Sequence, residues 1–225
     1  MSKPPEPVVF LFDIDNTLLN NDKITEDMRH HLTHHFGTAA SVKYWEIFEE
    51  LRAELGYADY LGALQRYRTL TMRDTRLLRL SSWLVDYPFA NRLFPESLDA
   101  IEHCWKWGTV AILSDGDAVF QPRKAERSGL FAAVRRNVLI YIHKEEELQH
   151  VEKIHPAKHY VMMDDKLRIL AAMKKIWGDR LTTVFVRQGH YAHEPGLEEK
   201  YPAADITIDR IGELQQHDFS HLAAE

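Results

Sequence analysis

Five short apolar runs, separated by amphipathic stretches, dominate the hydrophobic pattern of the chain. The runs are continuous rather than alternating, which is typical of strands buried on both faces of a parallel sheet. They cover residues 8–12, 109–113, 138–142, 160–163 and 181–186, and a shorter sixth run covers 206–208. Helical spacing over 97–107, 122–128, 145–153 and 167–177 separates the later runs. This alternation of strands and helices predicts an α/β fold, with a doubly wound, Rossmann-like parallel sheet.

The stretch from about residue 19 to residue 94 has a different pattern, because helical spacing fills it and no strand pattern interrupts it. Its predicted helices are 25–36, with Thr25 as the N-cap, then 41–55, 57–68 and 72–87. A connection of this length is too long for a loop inside a compact domain. We therefore expect an α/β core domain formed by residues 1–19 and 95–225, and an inserted α-helical cap domain formed by residues 20–94.

Composition and charge narrow the classes of partner. The 225 residues are 45% hydrophobic and 28% charged, as in ordinary globular proteins, and the net charge is -6. A mildly acidic chain is poorly suited to nucleic acid, so we expect none as a partner. Cys104 is the single cysteine, which suits a reducing compartment. No apolar run reaches membrane or signal-peptide length, so we expect a cytoplasmic protein without a membrane partner.

Two pairs of acids stand directly after predicted strands. Asp13 and Asp15 follow the first strand, and Asp164 and Asp165 follow the fourth. Either pair alone is also explained as turn or helix-cap residues. In a parallel sheet, however, both pairs would lie at the same edge. Carboxylates at such short distances repel one another unless a cation lies between them. The pattern therefore predicts a Mg²⁺ site with a phosphate ligand beside it.

Two further polar residues follow the second and third strands. The hydroxyl of Ser114 and the backbone amides from Asp115 onward could donate hydrogen bonds to phosphate oxygens. Lys144 could offset the charge of a carboxylate or a phosphate. Each also has a plainer interpretation, Ser114 as a helix cap and Lys144 as a solvated residue of a charged run.

In chain order, these residues resemble the motifs of the haloacid dehalogenase-like (HAD) superfamily, and the resemblance covers essentially the whole chain. The motifs are Asp-x-Asp-x-Thr at 13–17, Ser114, Lys144 and the pair at 164–165. The helical insert after the first motif is similar to the first-type (C1) cap of that superfamily. Lys153 and Lys158 are rivals for the third motif, but Lys144 directly follows a strand and is better spaced. Glu145 departs from the family pattern, in which proline often follows the lysine.

The resemblance implies a role for each motif. Asp13 would be the nucleophile that forms an aspartyl-phosphate, and Asp15 would protonate the leaving oxygen and later act as the base toward water. Ser114 and Lys144 would hold the phosphoryl group, with Lys144 also paired to Asp13. The Mg²⁺ cofactor would bind the Asp13 carboxylate, the Asp15 backbone carbonyl, and Asp164 or Asp165.

The predicted function is that of a magnesium-dependent phosphohydrolase acting on a small phosphomonoester. The dehalogenases of the superfamily resemble this chain but lack an acid at the position of Asp15, because a halide leaves without a proton. Two alternatives remain open, a phosphomutase-type phosphoryl transferase and a catalytically idle binding module with the same fold.

Four basic residues outside the motifs are candidates for substrate contacts. Arg73 and Arg76 belong to an arginine-rich stretch near the end of the predicted cap, and Arg187 and His190 follow the fifth strand. Solvated arginines paired with acids and an ordinary loop are the plainer interpretations. We expect these residues to contact an anionic substrate if the cap and the fifth strand close over it.

Overall fold

The computed structural model describes residues 4–71 and 74–223, and a parallel β-sheet lies at its centre. The strands are β1 (Glu6–Phe12), β2 (Thr109–Asp115), β3 (Val138–Tyr141), β4 (Ala157–Asp164), β5 (Leu181–Val186) and β6 (Ile206–Ile208). Their order in the sheet is β3-β2-β1-β4-β5-β6, and every pairing is parallel. The predicted doubly wound α/β class is therefore confirmed.

Helices surround the sheet and also fill the long connection between β1 and β2. In chain order the α-helices of the described residues are α1 (Asn21–Phe36), α2 (Thr38–Leu55), α3 (Tyr60–Leu70), α4 (Leu77–Val85), α5 (Ser97–Cys104), α6 (Phe120–Ser128), α7 (Leu130–Ala133), α8 (Leu148–Ile154), α9 (Leu167–Trp177), α10 (Leu197–Lys200) and α11 (Ser220–Ala223). Helices α1 to α4 lie where the sequence predicts the cap. The division into a core domain and a cap domain remains a prediction.

Strand β1 occupies the middle of the sheet, and its apolar run is buried on both faces. Phe10 and Phe12 pack into one buried cluster, and Val9 and Leu11 pack into a second cluster on the opposite face. This two-sided burial explains why the run is continuous rather than alternating. At its end, the backbone N–H of Asp13 donates to the carbonyl of Met163 on β4 at 3.0 Å. The first acidic motif is thereby fixed beside the fourth.

Some helix boundaries differ from the predicted ones for local reasons. Helix α1 begins at Asn21 rather than at Thr25, because the side chain of Asn20 caps it by accepting from the N–H of Lys23 at 2.9 Å. Helix α3 begins three residues later than predicted, because the side chain of Asp59 accepts from a backbone N–H of its first turn. Asn and Asp caps compete well with threonine for such positions.

Two other predicted helices are shorter in the structure. Residues 72 and 73 of the predicted helix 72–87 lie outside the described residues, and the described helix is α4. The predicted helix 145–153 divides into a 3₁₀ turn at Lys144–Glu146 and helix α8. Among the described residues, no helix has the length and apolar character needed to cross a membrane.

Candidate active site

The carboxylate of Asp13 lies buried at the end of β1, with one oxygen bound and the other unbound. Its Oδ1 accepts from the Lys144 Nζ at 2.6 Å and from the Ser114 Oγ at 3.0 Å. Its Oδ2 has no hydrogen-bond partner among the described residues. Strand β2 lies next to β1 and β3 lies next to β2, and all three end at the same edge of the sheet, which is why Ser114 and Lys144 reach the same carboxylate. The structure thus brings together the residues of the first three predicted motifs.

The second acidic pair completes a cluster of carboxylates around Asp13. Ligand oxygens of Asp13, Asp164 and Asp165 all lie within 4.8 Å of one another, and all three residues are buried. Both carboxylate oxygens of Asp165 lack a hydrogen-bond partner among the described residues. Buried carboxylate oxygens without donors fit a hard divalent cation such as Mg²⁺, which prefers oxygen ligands. The predicted metal ligand of Asp15 is its backbone carbonyl, which stays a prediction, and its side chain is not part of this group.

Burial and mutual repulsion make this cluster electrostatically costly without a cation. Burial raises the pKa of Asp164 and Asp165, and the negative charge of Asp164 raises the pKa of Asp165 further. Burial alone would lower the pKa of Lys144, but the nearby carboxylates outweigh it and raise that pKa. The Lys144 Nζ lies 2.6 Å from the Asp164 Oδ2, so this lysine links two carboxylates of the cluster. One lysine between three acids leaves negative charge for a metal to neutralise.

Lys166 adds a second cation next to the acidic pair. Its backbone N–H donates to the Asp164 Oδ1 at 2.8 Å, and its side chain lines the neighbouring cleft. Burial would lower the pKa of Lys166, but Asp165, Asp13 and Asp164 together raise it. The sequence analysis did not include Lys166, although its position directly after Asp164 and Asp165 indicates a residue of the site.

Asp15 points to a different set of partners from Asp13. Its Oδ1 accepts from the Lys124 Nζ at 2.5 Å, and its Oδ2 accepts from the Gln121 Nε2 at 3.3 Å. The sequence analysis missed both partners, because it predicted a helix over 122–128 without assigning it a role. The available signal was position, because Lys124 lies four residues after Phe120 on the buried face of α6. A lysine on an apolar helix face calls for a buried partner.

The side chain of Asp115 binds the backbone of the segment that follows β3. Its Oδ1 accepts from the backbone N–H of Lys144 at 2.7 Å, which anchors the residue that reaches Asp13. Burial raises the pKa of Asp115 to about 6, against the lowering effect of Lys144. The next amide, that of Gly116, donates to the carbonyl of Tyr141 and is therefore already engaged. The Asp115 side chain therefore positions Lys144, whereas the sequence analysis considered only the backbone amides from this residue onward.

A cleft of about 280 Å³ opens above these residues, between the sheet edge and the helices that follow β1. Asp15, Asp115 and Lys166 lie at the sheet side. Arg52 of α2 and Tyr191, from the segment after β5, also line the cleft, and Arg52 donates to the Tyr191 hydroxyl across it. The helices after β1 and the segment after β5 therefore line the same cleft.

The three described basic candidates outside the motifs do not converge on this cleft. Arg76 is bound to Asp74 at 2.7 Å and lines a separate cavity beside His31 and Trp83. Arg187 is paired with Asp209 at the surface, and Arg73 lies outside the described residues.

The fourth candidate, His190, joins the segment after β5 to the first helix. Its Nδ1 lies 2.6 Å from the Asp22 Oδ1 of α1, and its backbone N–H donates to the Asp22 Oδ2 at 2.8 Å. The next residue, Tyr191, is the one that lines the cleft. His190 itself contacts α1, and its contact with a substrate stays a prediction.

Comparisons with known proteins agree with this geometry. The family model of haloacid dehalogenase-like hydrolases matches residues 8–176. A proposed haloacid dehalogenase-like hydrolase from Burkholderia xenovorans LB400 is 61% identical over 95% of this chain and 100% of its own, with a TM-score of 0.91. The comparison with curated proteins found no match.

More distant structures share the fold. L-2-haloacid dehalogenase from Xanthobacter autotrophicus is 16% identical, with a TM-score of 0.61 over 92% of this chain and 96% of its own. YfnB, a proposed HAD hydrolase from Bacillus subtilis with magnesium bound, is 15% identical, with a TM-score of 0.61 over 95% of this chain and 98% of its own. With the family model matching most of its length, the chain belongs to the haloacid dehalogenase-like hydrolases.

Proposed function

We propose that this hydrolase is a magnesium-dependent phosphatase that acts on a small phosphomonoester through an aspartyl-phosphate on Asp13. The observation that carries the proposal is the asymmetry of the Asp13 carboxylate. Lys144 and Ser114 bind its Oδ1, while its Oδ2 has no hydrogen-bond partner among the described residues. An anion that is held and partly neutralised at one oxygen keeps the other oxygen available to attack phosphorus.

The reaction proceeds in two balanced steps. First, the Asp13 Oδ2 forms a bond to phosphorus as the ester P–O bond breaks, and Asp15 gives its proton to the leaving oxygen. Second, Asp15 takes a proton from a water molecule, whose oxygen attacks phosphorus and displaces Asp13. Inorganic phosphate leaves, and both aspartates return to their starting states. Lys144 stays beside Asp13 through both steps and offsets the negative charge there.

Three buried carboxylates would hold the metal, those of Asp13, Asp164 and Asp165. A bound Mg²⁺ supplies positive charge that neutralises phosphoryl oxygens and lets a carboxylate approach a phosphate dianion. Lys144 also neutralises negative charge at the site, since its Nζ lies 2.6 Å from carboxylate oxygens of both Asp13 and Asp164.

Asp15 is the reason to favour a phosphate ester over an organic halide. An alkoxide needs a proton to leave, whereas a halide ion does not. The Asp15 side chain is 26% exposed, lines the cleft and is held by α6, so it is placed to exchange protons with a bound molecule. The cleft volume of about 280 Å³ matches a small metabolite.

The test is phosphate release from a panel of small phosphomonoesters, with Mg²⁺ and with a chelator. We expect turnover that requires Mg²⁺ and falls at least about 10³-fold in Asp13→Asn, which keeps the side-chain shape but removes the nucleophile. Asp179→Asn, which removes one charge at an exposed position, is the matched control and should behave as wild type.

Three other outcomes would contradict the proposal. An isomerised phosphate ester with little free phosphate would indicate the phosphomutase alternative. Halide release from L-2-chloropropionate without any phosphatase activity would indicate a dehalogenase. A folded chain that neither binds Mg²⁺ nor turns over any ester would indicate the idle binding module.

A further inference from the structure

Lys124 is a fully buried cation whose partners lead directly to Asp15. Its side chain is 1% exposed, and its Nζ lies 2.5 Å from the Asp15 Oδ1 and 3.1 Å from the Asn21 Oδ1. The Phe120 ring, one helical turn earlier, lies 5.2 Å from the same ammonium. Removing an ammonium group from water costs several kcal/mol unless good partners surround it. The contact with Asp15 therefore offsets the free energy that burying the Lys124 ammonium costs.

Helix α6 holds both oxygens of the Asp15 carboxylate. Lys124 binds Oδ1, and Gln121, three residues earlier on the same face, donates to Oδ2 at 3.3 Å. The Gln121 amide also donates to the Ser114 Oγ at 3.0 Å, so it spans from Asp15 to the hydroxyl that binds Asp13. Side chains on one helix thus fix the orientation of Asp15 relative to Asp13.

The same lysine connects the helices after β1 to Asp15. Asn21, the first residue of α1, accepts from Lys124 and also donates from its Nδ2 to the Tyr60 hydroxyl at 3.3 Å. The Tyr60 hydroxyl lies 3.0 Å from the Thr25 Oγ1. Lys124 therefore stands where the start of α1, the start of α3 and the Asp13–Asp15 turn meet.

We propose that Lys124 is the positioning residue for Asp15, an inference that rests on the proposed phosphatase function. The ammonium occupies Oδ1, so Oδ2 is the oxygen that carries the transferred proton. In the first step the ester P–O bond breaks and this proton passes from the Asp15 Oδ2 to the leaving oxygen. In the second step the Asp15 Oδ2 takes a proton from the attacking water. Lys124 itself neither gains nor loses a proton.

A purely structural ion pair would give a different pattern of effects. Replacing a buried ion pair by apolar groups is often neutral for stability, so such a pair is weak evidence of a stabilising role. Asp15 is also 26% exposed at the cleft, where water could solvate it without a lysine. A positioning role predicts that loss of Lys124 harms only those steps in which Asp15 moves a proton.

Leaving-group dependence separates the two roles. A nitrophenolate leaves without a proton, whereas an alkoxide does not. In Lys124→Met we expect kcat for an alkyl phosphate to fall about 10- to 100-fold, with KM within about threefold of wild type. The pre-steady-state burst of nitrophenol from 4-nitrophenyl phosphate should keep its rate within about threefold, because forming the aspartyl-phosphate then needs no proton.

Two further variants keep the test decisive if Lys124→Met folds poorly. Lys124→Gln retains a hydrogen-bond donor for the Asp15 Oδ1 and should recover most of the alkyl phosphatase activity. Lys175→Met removes an exposed lysine from α9 and should leave both substrates unaffected.

The outcomes distinguish this inference from the proposed function. If both Lys124 variants slowed the nitrophenol burst as much as they lowered kcat for the alkyl ester, the positioning role would be overturned while the phosphatase stayed intact. Unchanged turnover of the alkyl ester in Lys124→Met would do the same. A wild-type protein without phosphatase activity would overturn the proposed function, and the inference with it.

Discussion

At the scale of single residues, most buried charges around Asp13 form an ion pair with an opposite charge. Lys144 lies 2.6 Å from both Asp13 and Asp164, and Lys124 lies 2.5 Å from Asp15. Asp165 is the exception, with no hydrogen-bond partner for either carboxylate oxygen among the described residues. The carboxylates of Asp13, Asp164 and Asp165 outnumber the two nearby lysines, Lys144 and Lys166, and such an excess of buried charge is rarely retained without a functional reason. That residual negative charge is the strongest residue-level argument for a divalent cation.

Asp115 provides a test of the electrostatics that does not depend on activity. Burial raises its pKa from 3.8 to about 6 in the folded state, so the folded protein holds this proton more tightly than the unfolded chain. The Asp115 contribution to the free energy of unfolding is therefore present below about pH 4 and lost as pH rises through about 6. The predicted loss is on the order of 1–3 kcal/mol.

The measurement compares the urea unfolding free energy of wild type and Asp115→Asn between pH 4 and pH 7, in the presence of a chelator. The asparagine can still accept from the backbone N–H of Lys144 but has no carboxyl to ionise. We expect wild type to lose stability relative to the variant as pH rises. A difference that stays constant across this range would show that burial does not raise the Asp115 pKa.

At the scale of elements, α1 is fastened to the segment that returns the chain to the sheet. Asp27 of α1 accepts from the Tyr87 hydroxyl and from the Arg92 guanidinium, whose Nη2 lies 2.5 Å away. Although burial opposes it, these hydrogen bonds and the charge of Arg92 lower the pKa of Asp27. The three side chains join the beginning and the end of the connection that holds α1 to α4.

Asp27→Asn should therefore destabilise the protein. We expect the free energy of unfolding at pH 7 to fall by about 1.5–3 kcal/mol, because charge-assisted hydrogen bonds to a partly buried carboxylate are lost. Glu26→Gln is the matched control, since Glu26 is half exposed and forms an ion pair with the neighbouring Lys23 on the surface of α1. That variant should change stability by less than about 0.5 kcal/mol. Equal effects of the two substitutions would contradict the assigned role of Asp27.

The fold was largely predictable because the strands carry an unambiguous signal. Five apolar runs stand between helical patterns, and each corresponds to a strand in the parallel sheet. Boundaries were less predictable, since they depend on caps that compete locally, as Asn20 does with Thr25. Strand β4 begins at Ala157, three residues before its apolar run, because pairing with β1 at Glu6 extends it.

The residues of the candidate site were predictable only where polar side chains directly follow a strand. The residues grouped around Asp13 all lie at strand ends, where a parallel sheet brings them together regardless of sequence distance. Lys124 and Gln121 lie inside a helix, and the partner of each is more than a hundred residues away, at Asp15. Periodicity and local motifs in the sequence do not predict contacts between residues so far apart. Arg73 and Arg76 were predicted from an arginine-rich stretch, and Arg187 and His190 from their place after the fifth strand. The described candidates are paired with Asp74, Asp209 and Asp22.

At the scale of the whole molecule, the helices after β1 and the sheet share one apolar core. A single buried cluster contains Phe10 and Phe12 of β1, Tyr44 and Phe48 of α2, and Leu80 of α4. Above this core, Arg52 and Tyr191 meet across the cleft. A continuous core couples the stability of the parts that contribute to it. The helical segment and the sheet should therefore unfold together.

Hydrogen exchange measured by mass spectrometry across a urea series tests this coupling. We expect peptides from α2 and from β4 to lose protection at the same urea concentration, as in a single cooperative transition. Earlier loss of protection in α2 would show that the helical segment is an independent folding unit, and that its contacts with the sheet contribute little to stability.

The central claim is that Asp13 carries the phosphoryl group, and the most direct test is to locate that group. Protein mixed with 4-nitrophenyl phosphate and Mg²⁺ is quenched in acid, reduced with borohydride to convert an acyl phosphate into homoserine, and analysed by peptide mass spectrometry. The account predicts conversion at Asp13, with greater conversion in Asp15→Asn, where water attack lacks its base. Phosphate release by the wild type with an unmodified Asp13 peptide, or conversion at another residue, would contradict it.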